Sequence, residues 1–469
     1  MMVPPEANDD TAHHARTLRQ AGIGPLVVLF ILNAVDEFDR AVLAVSLDRI
    51  REDFGLSDAT VGLLPLAVVL ITGLLSLPAG NWADSWSRRY ILSIGAVVWG
   101  IAGLAAAGAQ NFIQLFLTRA LLGAGQGTIG PTHGSLISDY YPIRLRGRAL
   151  GYHRAANPLG QVLGAVIGGA IIAAASWRWA FLAAAIPGLL MGLYALRLRE
   201  PARGEADLKD ASVDNPMLKE FLTDPDDKWG FRRSLGTIAR NKTLRYLILT
   251  NAAFGFMLSG VVFWIPAFYE RRYGFSPQEA SYALAGLAFC AFIGTWYGGP
   301  LADRWLKRGM TFLARMGLVA TIVLTVTWTM GFSIQSAPVS LVFLLAGAFI
   351  TSLGIPGLIN IIAAASPPHI RAQAFAAFGL ALAVLGGALA PVVVGLVSEL
   401  FQAQFDATQG EGLRYGMVLS TVVAGSLGTW LMYRTTLYAA TDVRRVLAEF
   451  IAKQTERARR AAGADAPGT

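Results

Sequence analysis

The chain has 469 residues, 54% of them apolar and only 15% charged, with 50 glycines, a mean hydropathy of +0.49 and a net charge of +8. A soluble globular domain carries about a quarter charged residues, so this balance excludes an ordinary soluble enzyme or binding module. Cys290 is the single cysteine, which excludes a disulfide framework and thiolate metal sites. Taken from the start, residues 1–23 are polar, with Asp9, Asp10, His13 and His14. No small-residue cleavage site follows the first apolar run, so this segment does not have the pattern of a secretory leader. Twelve apolar segments then follow, near 24–46, 57–80, 90–110, 112–138, 148–175, 179–198, 244–269, 278–300, 311–332, 338–364, 373–398 and 414–436. Each approaches the roughly 20 residues that a helix needs to cross a bilayer core. None alternates in hydrophobicity as the strands of an outer-membrane barrel do. A charged break at 199–243 separates a six-helix bundle at 24–198 from a second at 244–436, and a polar tail closes the chain at 437–469. Within the break, residues 216–224 fit either a short surface helix or a solvated linker. The expected fold class is an all-α membrane protein, twelve transmembrane helices in two six-helix pseudo-repeats.

Orientation follows from where Lys and Arg fall. With the N-terminus inside, 30 of the 39 cations lie in inward segments, 6 in outward loops and 3 (Arg40, Arg119 and Arg154) inside spans. Both termini are therefore expected in the cytoplasm. The positive charge is a topology and lipid-surface signal, and no clustered recognition module points to nucleic acid. High Arg and Ala usage suits a bacterial inner membrane, and a monomer is expected.

The first span contains NAVDEFDRAV at 33–42. At ~100° per residue, Asn33, Asp36, Glu37, Asp39 and Arg40 fall on one face, roughly 160° wide, while Phe38 points away. Each mid-bilayer charge costs about 2.5–3.5 kcal/mol on insertion scales, so this face needs partners or water. Arg40 can pair with Asp36 at i, i+4, which leaves Asp39 for another helix. The fourth span offers Arg119, Gln126 and His133 at seven-residue intervals, a polar stripe that drifts only about 20° per step. The fifth adds His153, Arg154 and Asn157. Three acids and three cations can make a neutral embedded set. Protonating one acid would weaken a bridge between helices, a sufficient way for a proton gradient to bias alternating access. The competing reading is a structural ion-pair network, and each histidine fits a hydrogen-bonded structural role as well as a titrating one. In the second half the polar and aromatic candidates for a substrate cavity are Asn251, Trp264, Tyr297, Ser352 and Asn360, with Asn33, His153 and Asn157 from the first. An ionic wall facing an apolar-aromatic one suits an amphiphile; the same aromatics also fit plain packing or anchoring.

Two loops repeat. GNWADSWSRR at 80–89 and GPLADRWLKR at 299–308 each follow the second span of their half, and Asp84 and Asp303 lie 219 positions apart. A Gly lets helix ends approach, and an Asp flanked by cations can tie neighbouring ends together. Gly80, Asp84, Arg88, Arg89, Gly299, Asp303, Arg304 and Arg308 are therefore candidates for a cytoplasmic gate. Glycines at 160, 164, 168 and 169, and at 386, 387 and 395 around Pro391, are expected to allow close helix contact. GAGQG at 123–127 lacks the strand and the Lys-Ser/Thr of a nucleotide loop, and no metal-ligand spacing occurs. No cofactor is expected.

The paired loops, TRALLGAGQGTIGPT at 118–132 and SWRWAF at 176–181 resemble the major facilitator superfamily over nearly the whole chain. Ser85 stands where the first loop of that family usually carries Arg, whereas the second keeps Arg304. Residues 32–64, REPARG at 199–204, FWIPAF at 263–268 and GGALAPVVVGLVSEL at 386–400 are similar to Spinster-like transporters. DEFD also resembles the D-G-F-D element of aromatic-acid/proton symporters, and organic-anion symporters share the D-R and D-F-G-L-S features. The resemblance implies a proton-coupled transporter of a lysolipid, sphingoid-like or other amphiphilic molecule; the alternative is a proton symporter for small aromatic or organic acids, with Arg119 and Arg154 on the carboxylate. Spinster-like proteins typically carry a glutamate where this chain has Gln126. No nucleophile–base pair supports an enzyme, and no signalling domain supports a receptor.

Overall fold

The structure, a computed structural model, describes residues 18, 22–202, 205–206, 231–367 and 370–464. Most of the N-terminal tail and of the 199–243 break, including 216–224, lies outside the described residues. Local signals set the first helices. Pro25 opens α1 (Gly24–Phe54), and Gly55, at φ 61°, closes it with its amide on the Arg51 and Glu52 carbonyls. The Ser57 hydroxyl accepts from the Thr60 amide to start α2 (Asp58–Ser85). There follow α3 (Arg88–Ala107), α4 (Phe112–Tyr140), capped by Asn111, α5 (Ile143–Ala174) and α6 (Trp177–Ala195). A short α7 (Phe231–Arg240) leads into α8 (Lys242–Tyr273), α9 (Pro277–Leu306), α10 (Met310–Ser333) and α11 (Ala337–Ala365). The next crossing is composite: α12 (Arg371–Leu380), a π-helical turn (Ala381–Gly387) and α13 (Ala390–Phe405). The last helix, α14 (Gln409–Ala464), has 56 residues, about 84 Å at 1.5 Å per residue. It therefore projects well beyond a ~30 Å hydrocarbon core. No strand occurs among the described residues.

Among the described residues, ten crossings are long and apolar enough to span a membrane by composition. The two that fall short, α1 and α4, are of similar length, 31 and 29 residues. They are also the two that carry the charged cluster and the polar stripe, and they pair with each other. Polarity that defeats a hydropathy criterion is here satisfied inside the bundle.

The apolar core divides in an informative way. One continuous cluster takes in the second half of α1 (Val42, Leu47), Trp177, the second half of α8 (Trp264, Phe268), Leu284 and Val394, and so joins both six-helix halves. At the opposite end there are two separate clusters. One holds Leu29, Leu92, Trp99 and Leu136 of the first half, the other Leu244, Leu313, Ile361 and Met432 of the second. The end where α1 and α8 begin, richer in Lys and Arg, is called the basic end below. The halves share a core at the far end and have their own at the basic end.

Candidate functional site

The charged face of α1 lies at the midpoint of that helix and meets α4 and α5. Asp39, 4% exposed, accepts from Arg119 Nη1 at 3.0 and 3.3 Å. Arg119 is fully buried, with its guanidinium 4.4 Å over the Phe181 ring. Asp36 pairs with Arg40 at 3.3 Å, as the i, i+4 spacing predicts, and also accepts from Gln126 Nε2. Glu37 accepts from Gln161 Nε2 at 2.9 Å. Asn33 donates to the His153 carbonyl at 2.9 Å and to Asn157. The Arg40 side chain is 48% exposed. A guanidinium open at mid-membrane depth requires water beside it, so this face looks onto an aqueous interior.

His133 Nδ1 and His153 Nε2 lie 2.8 Å apart, with the rings edge-to-face. The two histidines therefore tie α4 to α5 directly. Arg154 is exposed and makes no ion pair among the described residues. The expected neutral set of three acids and three cations is thus corrected: two acids are paired to Arg40 and Arg119, and Glu37 is held by an amide. Gln161 went unnoticed in the sequence, though it had a legible signal, since His153, Asn157 and Gln161 recur every four residues on α5. Phe181 was noticed only as the end of SWRWAF, with nothing to mark its contact with Arg119.

The second-half candidates separate. Asn251 donates to the Phe378 carbonyl at 2.8 Å, tying α8 to the helix just before the π turn. Trp264 is fully buried and donates to the Pro391 carbonyl at 3.0 Å. It packs in the shared core, so it does not line a cavity. Tyr297 is 63% exposed, Asn360 is half-buried and Ser352 is buried.

The paired loops are described unevenly, because the side chains of Gly80, Asp84 and Asp303 lie outside the described residues. Arg88 is buried and bonds Asp139, Ser135, Glu200 and the Pro201 carbonyl. Glu200 also receives the backbone amides of Arg88 and Arg89, capping α3. Arg88 therefore staples helix ends within the first half. Arg89 donates to the neighbouring Tyr90 hydroxyl; Arg304 and Arg308 are exposed, the latter 5.2 Å over Phe312. At Gly299 an added methyl would meet nothing, whereas at Gly298 it would lie 2.6 Å from the Leu353 carbonyl oxygen. The close approach expected at Gly299 is made one residue earlier, on the helix face that turns toward α11.

A second ionic cluster sits at the far end. Arg271 of α8 reaches Asp48 of α1 at 2.9 and 3.0 Å and Asp58 of α2 at 2.8 and 2.9 Å. All three side chains are at most 6% exposed. Ser398 donates to Asp58 at 2.9 Å, and Glu399 accepts from the Ala59 amide at 2.7 Å. The Trp264 ring lies 5.6 Å from the Arg271 guanidinium. Every described hydrogen bond between the halves belongs to this end, including Arg51 to Gln409 at 2.9 Å. The sequence held one sign of it: Arg271 and Arg272 form a basic pair where outward loops are otherwise poor in cations, which implies local acidic partners.

Comparison with known proteins adds the following. Residues 29–391 match the model of the Major Facilitator Superfamily. The chain is 24% identical over 473 residues to protein spinster homolog 3 of Danio rerio, covering 93% of this chain and 89% of that one. It is also 24% identical over 395 residues to a D-galactonate transporter of Escherichia coli, covering 80% and 88%. The fold matches the crystal structure of a bacterial homologue of the human lysosomal transporter Spinster with a TM-score of 0.75 at 23% identity, covering 90% of this chain and 97% of that one. A D-xylose–proton symporter matches with a TM-score of 0.65 at 18% identity, covering 86% and 96%.

Proposed function

The chain belongs to the Major Facilitator Superfamily, and from that premise we propose that it is a proton-coupled secondary transporter of an amphiphilic, lipid-like molecule, working by alternating access. It is an integral membrane transporter, as its relatives and structural neighbours are transporters. We place it in a bacterial plasma membrane with the basic end toward the cytoplasm, where positive loops belong. The shared core and ionic latch at the far end and the separate cores at the basic end make this conformation inward-facing in that reading.

One observation carries the coupling role: the buried Asp39–Arg119 pair bridges α1 and α4 where the shared core gives way to the separate ones. Protonating Asp39 removes the charge that holds Arg119. Breaking a buried pair by losing one partner costs about 3–5 kcal/mol, the same order as the roughly 5.5 kcal/mol needed to invert a two-state population from 1:99 to 99:1. Asp36 beside it is the second candidate proton site.

The similarity to the spinster homologues over 93% of the chain favours an amphiphile. The match to a D-galactonate transporter favours the second reading, proton symport of a small organic acid. In that reading the anion meets Arg40 and Arg154, which are open, because Arg119 is sealed beneath Asp39 and Phe181.

The test is pH-driven flux in proteoliposomes against lysophospholipids, aromatic acids and sugar acids, with wild type and Asp39→Asn. Accumulation driven by an imposed proton gradient is expected in wild type and absent in the variant, in which Asn keeps an acceptor for Arg119 and whose folding is checked by its melting temperature. Wild-type gradient-driven flux in the Asn variant would show that the pair is purely structural.

A further inference from the structure

We propose that the rim formed by α8 and α14 at the basic end binds an anionic phospholipid, with its headgroup on Lys242, Arg245 and Arg434 and one acyl chain in the groove between α10 and α14. Arg434 donates to the Tyr246 hydroxyl at 3.1 Å and the Tyr438 hydroxyl at 3.4 Å, and its guanidinium lies 5.1 Å from the Tyr246 ring. The two tyrosine rings stack at 5.9 Å with 16° between planes. Lys242 Nζ sits 4.6 Å over Tyr438 and the Arg245 guanidinium 5.0 Å over Tyr246. Three cations thus share two aromatic faces, and none has a carboxylate partner among the described residues. The acid one turn on, Asp442, is taken: it accepts from the amide and hydroxyl of Thr243 at 2.9 and 2.8 Å and from Arg445 at 2.8 Å. Arg434 Nε is buried without a hydrogen-bond partner. The local field is therefore positive and uncompensated, and Lys242 and Arg245 are exposed to whatever lies at the membrane edge.

The level is that of lipid headgroups. Lys242 opens α8, and Tyr438 beside it lies 29 residues into α14, about 44 Å from its start, which equals a full bilayer with its interfacial regions. Directly above, toward the membrane interior, Ile322 and Val326 of α10 and Trp430 and Tyr433 of α14 line an open, mainly apolar groove of ≈ 380 Å³. Its lining on α14 runs from Ser426 to Tyr433, about 10 Å along the helix. Trp430 belongs to both parts, since its ring also meets Tyr246 and lies 5.6 Å from the Arg434 guanidinium. A cluster of three cations at the interface continued by an apolar groove has the shape and charge of one anionic glycerophospholipid. A soluble phosphate would use the cations and leave the groove idle, and a zwitterionic lipid would bring its own cation against them.

The site is separate from the α1–α4 network, so its test is read without transport. The full-length protein, delipidated in detergent, is titrated with dioleoyl phosphatidylglycerol, dioleoyl phosphatidylcholine and glycerol 3-phosphate, and bound lipid is counted by native mass spectrometry. Phosphatidylglycerol is expected to be retained at least tenfold better than phosphatidylcholine. Lys242→Gln and Arg245→Gln, exposed positions that touch only ring faces, should each weaken it about fivefold, the equivalent of roughly 1 kcal/mol per interfacial charge. Val326→Trp, which fills the groove, should weaken it with all three cations in place. Equal retention of the two lipids, unchanged binding in both charge variants and the groove variant, or glycerol 3-phosphate binding as well as the lipid would each overturn the proposal.

Discussion

At Asp36 one carboxylate is held by two different donors, Arg40 on its own helix and the Gln126 amide of α4. The amide keeps the stripe satisfied without a charge of its own. A glutamate at 126 would instead face the Asp36 carboxylate, and two like charges in one buried site repel. Gln126→Glu is therefore expected to move the half-maximal pH of transport upward, whereas Gln126→Ala should lower the rate and leave the profile in place. An unmoved profile in the Glu variant would put this position outside proton coupling. Glu200, outside the spans, gives a second pH-dependent expectation. Partial burial pushes its carboxyl up, but the Arg89 amide, the Ser87 hydroxyl and Arg88 outweigh this and hold it below the usual carboxylate range. A depressed folded value means that the stabilisation is present above the unfolded value of about 4.3 and is lost as pH falls through the folded one. Glu200→Gln should lower the melting temperature at neutral pH and flatten the acid decline between about pH 5 and 3; a decline identical to wild type would contradict it. The spacing of charges along single helices was legible at this scale: Asp36 with Arg40, and Asp39 left for α4. Which side chain of a neighbouring helix completes a pair was not, as Phe181 and Asp139 show, because no sequence period encodes the rotation of one helix against another.

The helices themselves meet at glycine seams. Gly164 and Gly168 of α5 face Phe38 and Val42 of α1, and a methyl at Gly164 would lie 2.5 Å from the Phe38 carbonyl oxygen. That closeness brings Gln161 within reach of Glu37, so packing and site geometry are one feature. Overpacking typically costs about 1–3 kcal/mol, and Gly164→Val should show it as a lower melting temperature together with lost transport. Gly298→Val should likewise destabilise, while Gly299→Ala should be tolerated; the reverse order would contradict the packing seen at α11. Twelve apolar segments were readable in the sequence, although α1 and α4 are less apolar than the other ten crossings among the described residues, and the close-packed stripe of α5 was readable from its i, i+4 glycines. The π turn at Ala381–Gly387 was not readable as such. Its glycines were marked for close contact, which they make: Gly386 packs on the α8 backbone at Ala252 and Phe256. A change in helical pitch leaves no separate mark in composition. Of the paired loops, Arg88 ties helix ends together inside the first half, while the side chains of Asp84 and Asp303 lie outside the described residues.

The two halves together form a V, sharing a core at the far end and separated at the basic end, with Arg271 clasping Asp48 and Asp58 across the joint. Which end closes was not legible in the sequence, since that depends on contacts between residues more than 200 positions apart. Arg271→Gln removes the clasp while Ser398 and Glu399 still reach α2. It is expected to raise labelling of far-end cysteines from outside, in a background where Cys290 is replaced; unchanged labelling would mean that the apolar core alone closes that end. If protons act on the V, they must do so through α1, whose first half belongs to the separate core of one half and whose second half belongs to the shared one. The most direct measurement is double electron–electron resonance between labels at Ile113 and Val339, exposed at the far ends of α4 and α11, in liposomes taken from about pH 8 to about pH 5. The expected result is a pH-dependent exchange between two distance populations in the otherwise wild-type protein and a single, pH-independent distribution in Asp39→Asn. A variant that keeps the full pH-dependent exchange would contradict proton coupling through Asp39.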